Sequence, residues 1–405
     1  MIDGLTPPVF EAADTPALRF LADHGQYRRA VSTFPSLTPV CVSSIATGAH
    51  GDVHEIPHLV WWHRGERRLV EYGSSFGAVR VAGITQSLRD TIFNLNRQHL
   101  GAGAVTVYEA LEDAGLTAAA INITCYRGRT KHLPIIPGVP AAYGPKQFFF
   151  YTLFQSAKTG APIAVRNRAG GSIDTYAASV GRWLVTRDGF DFLVYYLADY
   201  DYASHALGPG SAAEALVQAD NAVAALMDAA GGWDEFLERY DVLLCSDHGQ
   251  TRVDELAHLR VDGGRVTASN RAGMIYGDDP RALAAQLDAE PGVDLALFLE
   301  DGEVVARRRG EESADFLDDY PEGRERAAAA LANPNSGEVL LSAAGGWEFA
   351  DLAGRHHLGG GSHGSLAAGD SVVPMLGVGI DPPGSITGIK DAVLAHFGIG
   401  LAHVA

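Results

Sequence analysis

Four mostly apolar runs set the frame of the chain: residues 118–123, 192–197, 242–245 and 372–378. Each is short and nearly unbroken by polar residues, the pattern of strands buried on both faces. Between them lie stretches with helical spacing. Residues 105–115 open near Thr106 and close at Gly115, a polar start and a glycine stop. In residues 211–230, Leu216, Val223 and Leu226 fall near one helical face. This alternation predicts an α/β fold, a central, mostly parallel sheet with helices on both faces. Residues 268–347 break the pattern. A hairpin over 293–307, turning at Asp301-Gly302, lies there within acidic, alanine-rich helical sequence. We expect an inserted cap subdomain over 268–347, with 1–267 and 348–405 forming the main domain.

The chain has 405 residues and is 47% hydrophobic, enough for one large domain with an insertion. Its net charge of -18 and lack of a long basic run argue against nucleic-acid polymers and anionic membranes as partners. Small anionic substrates stay open, because bound metal ions supply positive charge that the formal count omits. The three cysteines, Cys41, Cys125 and Cys245, are too few for a disulfide scaffold and fit a reducing compartment. With no long apolar run and no secretion signal, a cytoplasmic protein is expected. Only Met1 and Ile2 precede Asp3, so either the first strand is very short or the natural start lies upstream of Met1.

Five short segments carry candidate chemistry. They are Asp3 in Ile-Asp-Gly-Leu, Thr38 in Phe-Pro-Ser-Leu-Thr-Pro, and Asp201 with His205 in Asp-Tyr-Ala-Ser-His. Then come Asp247 with His248 in Cys-Ser-Asp-His-Gly, and His363 in Gly-Gly-Ser-His-Gly. Three carboxylates, three imidazoles and a hydroxyl suffice for two mixed Asp/His metal sites beside an alcohol nucleophile. Zinc is the expected metal, with manganese or iron as alternatives. Asp201 and His205 are four apart and share a helical face, and Gly249 allows the sharp turn that Asp247 and His248 need. Taken singly, each segment reads as a cap or a surface turn, and Thr38 as a helix cap; taken together they read as a metal site. The basic run around Arg127 and Arg129 follows an expected strand and is a candidate grip for a substrate anion. Trp61-Trp62-His63-Arg64 is expected to pack under the insertion rather than to wall a substrate.

These motifs resemble the alkaline phosphatase superfamily, and within it the type I phosphodiesterase/nucleotide pyrophosphatase family, over nearly the whole chain. The start, Ile-Asp-Gly-Leu-Thr-Pro, resembles the family's first metal-binding turn. Pro35, Thr38, Ile45, Thr47 and Gly48 match its nucleophile helix. Asp201 to Pro209, Ser246 to Gly249, and Ser362 to Gly364 match its remaining elements. The resemblance implies one divalent ion on Asp201, His205 and His363, and another on Asp3, Asp247 and His248 with Thr38 alongside. It implies an alkaline phosphatase-like fold and a small phosphorylated substrate, such as a nucleotide or phosphodiester. Three positions depart from the pattern: Ser204 and Glu55 replace glycines, and Leu59 stands where the family has an asparagine that contacts the phosphoryl oxygen.

The expected function is therefore metal-dependent hydrolysis of a phosphodiester or pyrophosphate bond through Thr38. A phosphomonoesterase or phosphonate hydrolase of the same superfamily is the nearest alternative, and a catalytically inactive metal-binding protein is another. Cys41-Val-Ser-Ser-Ile lacks the proline and arginine of a sulfatase maturation motif, which argues against that activity.

Overall fold

The computed structural model describes residues 1–135, 138–151, 153–155 and 172–400. The apolar runs fold as strands. Ala118–Ile121 lies between Gln147–Phe150 and Phe192–Tyr195, parallel to both, and Phe154–Gln155 adds an antiparallel edge. A second set places Val372–Val378 between Gln26–Val31 and Val242–Cys245, antiparallel to both. Residues 1–3 stitch the two sets together. Ile2 bridges Leu197 in parallel. Its amide donates to the Cys245 carbonyl at 3.0 Å, and the Asp3 amide donates to the Leu197 carbonyl at 2.9 Å. The sheet is thus parallel at its centre and antiparallel towards both ends.

Alternation along one strand shows why helices cover both faces. Ala118 and Ala120 enter a core with Val40, Leu111 and Leu394, from helices Thr38–Thr47, Val107–Asp113 and Ile389–His396. Ala119 and Ile121 enter the opposite core with Leu18, Val180, Leu216 and Leu226, from helices Pro16–His24, Ile173–Val185 and Ala213–Ala229. Successive side chains of a strand point to opposite faces, so a strand apolar at every position needs two helical layers. Thr106 starts its helix through a capping box with Glu109, and the glycine at 115 follows the last turn.

Residues 265–343 build a separate sheet of six antiparallel strands. Its order is Arg265–Ser269, Ala272–Tyr276, Val339–Ala343, Val293–Glu300, Glu303–Arg308, Glu311–Glu312. Phe298, Leu283, Ile275 and Leu341 form a core of its own. The hairpin turns at Asp301 (φ 53°) and Gly302 (φ 84°), the two left-handed residues of a tight two-residue turn. Trp61 is buried, Trp62 lies under the Arg265 guanidinium at 3.9 Å, and Arg64 pairs with Glu338 at 2.6 Å, so this stretch packs against the six-stranded sheet. Among the described residues, no helix is long and apolar enough to cross a membrane.

Candidate metal centre

Thr38 is the first residue of helix Thr38–Thr47, and no side chain caps that helix. Its hydroxyl is therefore not spent on capping. It lies 3.0 Å from His248 Nε2, one of the candidate metal ligands. The first turn carries partial positive charge, but Pro39 has no N–H and the Val40 and Cys41 amides donate to the Leu37 carbonyl, so the Thr38 amide is the donor it can offer a phosphoryl group.

Helix Asp199–Leu207 places Asp201 and His205 on one face, with Asp201 Oδ2 3.4 Å from His205 Nε2. Asp247 and His248 follow strand Val242–Cys245 directly. There the Ser246 hydroxyl donates to the His248 carbonyl at 2.8 Å and accepts from the Leu5 amide at 2.9 Å, fixing the turn. Gly249 serves this turn by close approach: a side chain there would strike the Gly369 carbonyl. Asp3 is held by its amide and by the Tyr196 hydroxyl, which donates to Oδ2. Gly4 (φ 69°) must be glycine, because a Cβ would sit 2.7 Å from Asp201 Oδ1.

The three histidines share one orientation rule. Nδ1 of His205 lies 2.8 Å from the Gly361 carbonyl, Nδ1 of His248 2.9 Å from the Gly249 carbonyl, and Nδ1 of His363 2.7 Å from the Ser36 carbonyl. A carbonyl only accepts, so each Nδ1 carries a proton, and the neutral form of each ring has its lone pair on Nε2. This is the arrangement that orients imidazoles onto metals. Ligand atoms of Asp201, His205 and His363 lie within 4.8 Å of one another, as do those of Asp3, Asp201 and His248. Asp201 thus stands between the two groups. Asp247 borders the second, its Oδ2 3.5 Å from His248 Nε2.

The residues present fit divalent ions. Asp3 Oδ1 and Asp247 Oδ2 are buried and have no hydrogen-bond partner, which is costly unless a cation satisfies them. Burial, together with the charges of Asp247 and Asp201, raises the Asp3 carboxyl well above its ordinary value. Burial also pushes Asp201 upward, but His205, His363 and His248 outweigh it and hold that carboxyl below its usual range. Burial lowers His363 well below an ordinary histidine, and the neighbouring His248 lowers it further. The cluster is poised for positive charge supplied from outside the chain.

Several functional neighbours carry no signal that the motifs reveal. Gln250 Nε2 donates to Asp201 Oδ1, and the buried Ser204 hydroxyl donates to Gln250 Oε1 at 2.7 Å. Ser204 therefore has work that a glycine would not do. Asn270 lies 3.3 Å from His363 Nε2. Glu348 accepts from the His357 ring at 2.6 Å, and that ring lies 4.2 Å from the His205 ring. Glu55, at the other departure from glycine, sits at φ 65°, a left-handed position.

A cavity of about 550 Å³ opens on the cluster. Thr38, Asp3, Asp201, His205 and His363 line one side, with Leu59, Ile92, Leu95 and Phe150 among its apolar residues. Arg127 and Arg129 do not line it. Arg127 pairs with Glu109 at 3.2 Å and donates to carbonyls of Leu100 and Gly101, while Arg129 pairs with Asp113 at 2.8 Å. Their charges are taken up by the helix that precedes them, which corrects the expectation of an anion grip.

The model of the type I phosphodiesterase / nucleotide pyrophosphatase family matches residues 1–366. The chain belongs to this family. The family assignment points to a phosphoester hydrolase. Solved structures share the fold at low identity. Phosphonoacetate hydrolase from Sinorhizobium meliloti 1021, in complex with phosphonoformate, is 19% identical with a TM-score of 0.66, covering 98% of this chain and 94% of that one. Murine ectonucleotide pyrophosphatase / phosphodiesterase 5 is 13% identical with a TM-score of 0.65 over the same shares. Its human counterpart is 15% identical with a TM-score of 0.65, again covering 98% and 94%. No curated protein matches the chain significantly.

Proposed function

We propose that this family member hydrolyses a phosphodiester or pyrophosphate bond with Thr38 as nucleophile and two divalent ions, zinc first. One ion is held by Asp201, His205 and His363, the other by Asp3, Asp247 and His248. The observation that carries this reading is the uncapped Thr38 hydroxyl, 3.0 Å from His248 Nε2, beside two buried carboxylate oxygens without partners. When bound, the ions lower the pKa of the attacking hydroxyl and neutralise charge on the transferring phosphoryl group.

The chain's own residues do the rest. The Thr38 amide, at the positive end of its helix, donates to a phosphoryl oxygen. Thr38 Oγ1 loses its proton to solvent and bonds to phosphorus as the bond to the leaving oxygen breaks. That oxygen takes a proton from solvent. Water then attacks the phosphothreonine, the threonine–phosphorus bond breaks, and the hydroxyl regains its proton. Electrostatic stabilisation aimed at the developing charge carries most of the acceleration.

A second reading, a phosphomonoesterase or phosphonate hydrolase, draws on Leu59, which lines the cavity where the family pattern has an amide. We further propose that residues 268–347 act as a cap over the main domain. A catalytically inactive protein is the remaining alternative; the short lead of Met1 and Ile2 before Asp3 favours it, and the contacts of Asp3 with Leu197 and Tyr196 count against it. Turnover of zinc-loaded protein on bis-p-nitrophenyl phosphate, p-nitrophenyl phosphate and phosphonoacetate tests these readings. Diester preference supports the first reading, and exclusive monoester or phosphonate cleavage overturns it in favour of the second.

A further inference from the structure

Asn270 occupies the turn between strands Arg265–Ser269 and Ala272–Tyr276. Its backbone is left-handed, φ 57°, a conformation that costs a non-glycine residue energy but that asparagine tolerates better than most. The residue is 5% exposed and lines the cavity that Thr38 lines. Its side chain is not free to flip. The Ser269 hydroxyl donates to Asn270 Oδ1 at 2.7 Å, so the amide nitrogen is the atom directed at the centre. That nitrogen lies 3.3 Å from His363 Nε2.

The backbone ties this amide to the histidine. Arg271 N donates to the His363 carbonyl at 2.9 Å, and Phe349 N donates to the Asn270 carbonyl at 2.7 Å. Gly364 (φ 125°) lets the hairpin approach, since a Cβ there would lie 3.2 Å from the Ala272 amide. Asn270 and His363 therefore form one rigid unit contributed by two distant parts of the chain.

The amide now donates to a lone pair that a divalent ion on Asp201, His205 and His363 must claim. A nitrogen cannot serve both. With that lone pair committed, the NH2 group is a buried donor beside the ion with no acceptor among its present partners. Leaving such a donor buried and unpaired is costly. The nearest group able to accept it is an oxygen of whatever occupies the cavity at that ion.

We infer that Asn270 is a further catalytic residue, its amide donating to a phosphoryl oxygen of the bound substrate and more strongly to the transition state. This rests on the function proposed above. It assigns a specific donor from the inserted segment to the reaction, where the motifs supply only ligands and a nucleophile.

The test separates the side chain from the turn. Asn270→Gly keeps the left-handed backbone without strain and deletes the amide. Asn270→Asp keeps the size and the turn preference and replaces the donor with an acceptor. The zinc-loaded wild type and both variants are titrated with orthovanadate by calorimetry, alongside zinc content and kcat/KM. Both variants should bind vanadate and turn over substrate about 100-fold more weakly, with zinc content and Tm unchanged, the loss expected for one missing oxyanion donor. Wild-type vanadate affinity in Asn270→Gly overturns the inference, since the residue then serves only the turn. Loss of zinc in both variants overturns it as well, by assigning Asn270 to the support of His363. If Asn270→Gly does not fold, Asn270→Asp decides alone by the same criteria. Wild-type protein that holds zinc but binds no vanadate overturns both this inference and the functional reading beneath it.

Discussion

Gln250→Leu is the sharpest probe of how the centre is held. Gln250 Nε2 donates to Asp201 Oδ1, and its Oε1 accepts from the Ser204 hydroxyl at 2.7 Å. All three side chains are buried. Leucine keeps roughly the size and removes both partners, so Asp201 loses the contact that fixes which oxygen faces His205. Removing the partner of a metal-ligating group costs about 10- to 100-fold in metal affinity, about 1.4–2.8 kcal/mol at 1.4 kcal/mol per decade. The orphaned Ser204 hydroxyl adds about 1–3 kcal/mol of lost folding stability. Zinc competition against a chromogenic chelator reads the first effect, and urea denaturation of metal-free protein reads the second. Because Asp201 borders both ligand groups, both zinc steps should weaken. A zinc affinity within about two-fold of wild type would refute the reasoning, since the hydrogen bond would then not position the ligand.

His363→Ala and Asp247→Ala should each lower turnover by orders of magnitude with the fold intact by circular dichroism, and wild-type turnover with unchanged metal content counts against the ligand assignment. Arg129→Ala should change kcat/KM by less than about two-fold, because its charge is spent on an exposed pair with Asp113; a larger loss would restore the anion-grip reading. The pH dependence of stability has a defined sign at His54. Burial lowers it to about 3, with Nδ1 accepting from the Ile56 amide at 3.1 Å. The folded state thus binds fewer protons than the unfolded one, and this group's contribution is present above about pH 6.5 and lost as pH falls towards 3. His54→Gln should show a shallower loss of stability between pH 6.5 and 4 than wild type, and identical slopes in urea melts would contradict it.

The sequence revealed most where chemistry and burial act locally. Apolar runs gave the central strands because a strand covered on both faces has no polar face to hide. The pairs Asp201/His205 and Asp247/His248 were legible as candidate ligands because the two members of each lie close together in sequence, in a segment that follows a strand. Long-range support was not. Asn270 reaches His363 across 93 residues, and Tyr196 reaches Asp3 across 193, with nothing in either local sequence to mark the pairing. Arg127 and Arg129 misled for the converse reason. Their partners, Glu109 and Asp113, lie on the preceding helix, and only the fold brings that helix back beside them. Thr38 read equally well as a cap or a nucleophile, and the backbone removes the first role: Leu37 is the capping position, and it offers no side-chain hydrogen bond.

The central claim is that Thr38 attacks phosphorus beside two divalent ions, and the most direct test is turnover of zinc-loaded Thr38→Val on bis-p-nitrophenyl phosphate. Valine keeps the branched shape at the helix start. Because the hydroxyl caps nothing, stability should fall by less than the roughly 1 kcal/mol of a lost cap. The expected result is wild-type zinc content with turnover no higher than that of metal-free wild type, and partial activity in Thr38→Ser. A fully active Thr38→Val enzyme would contradict the account.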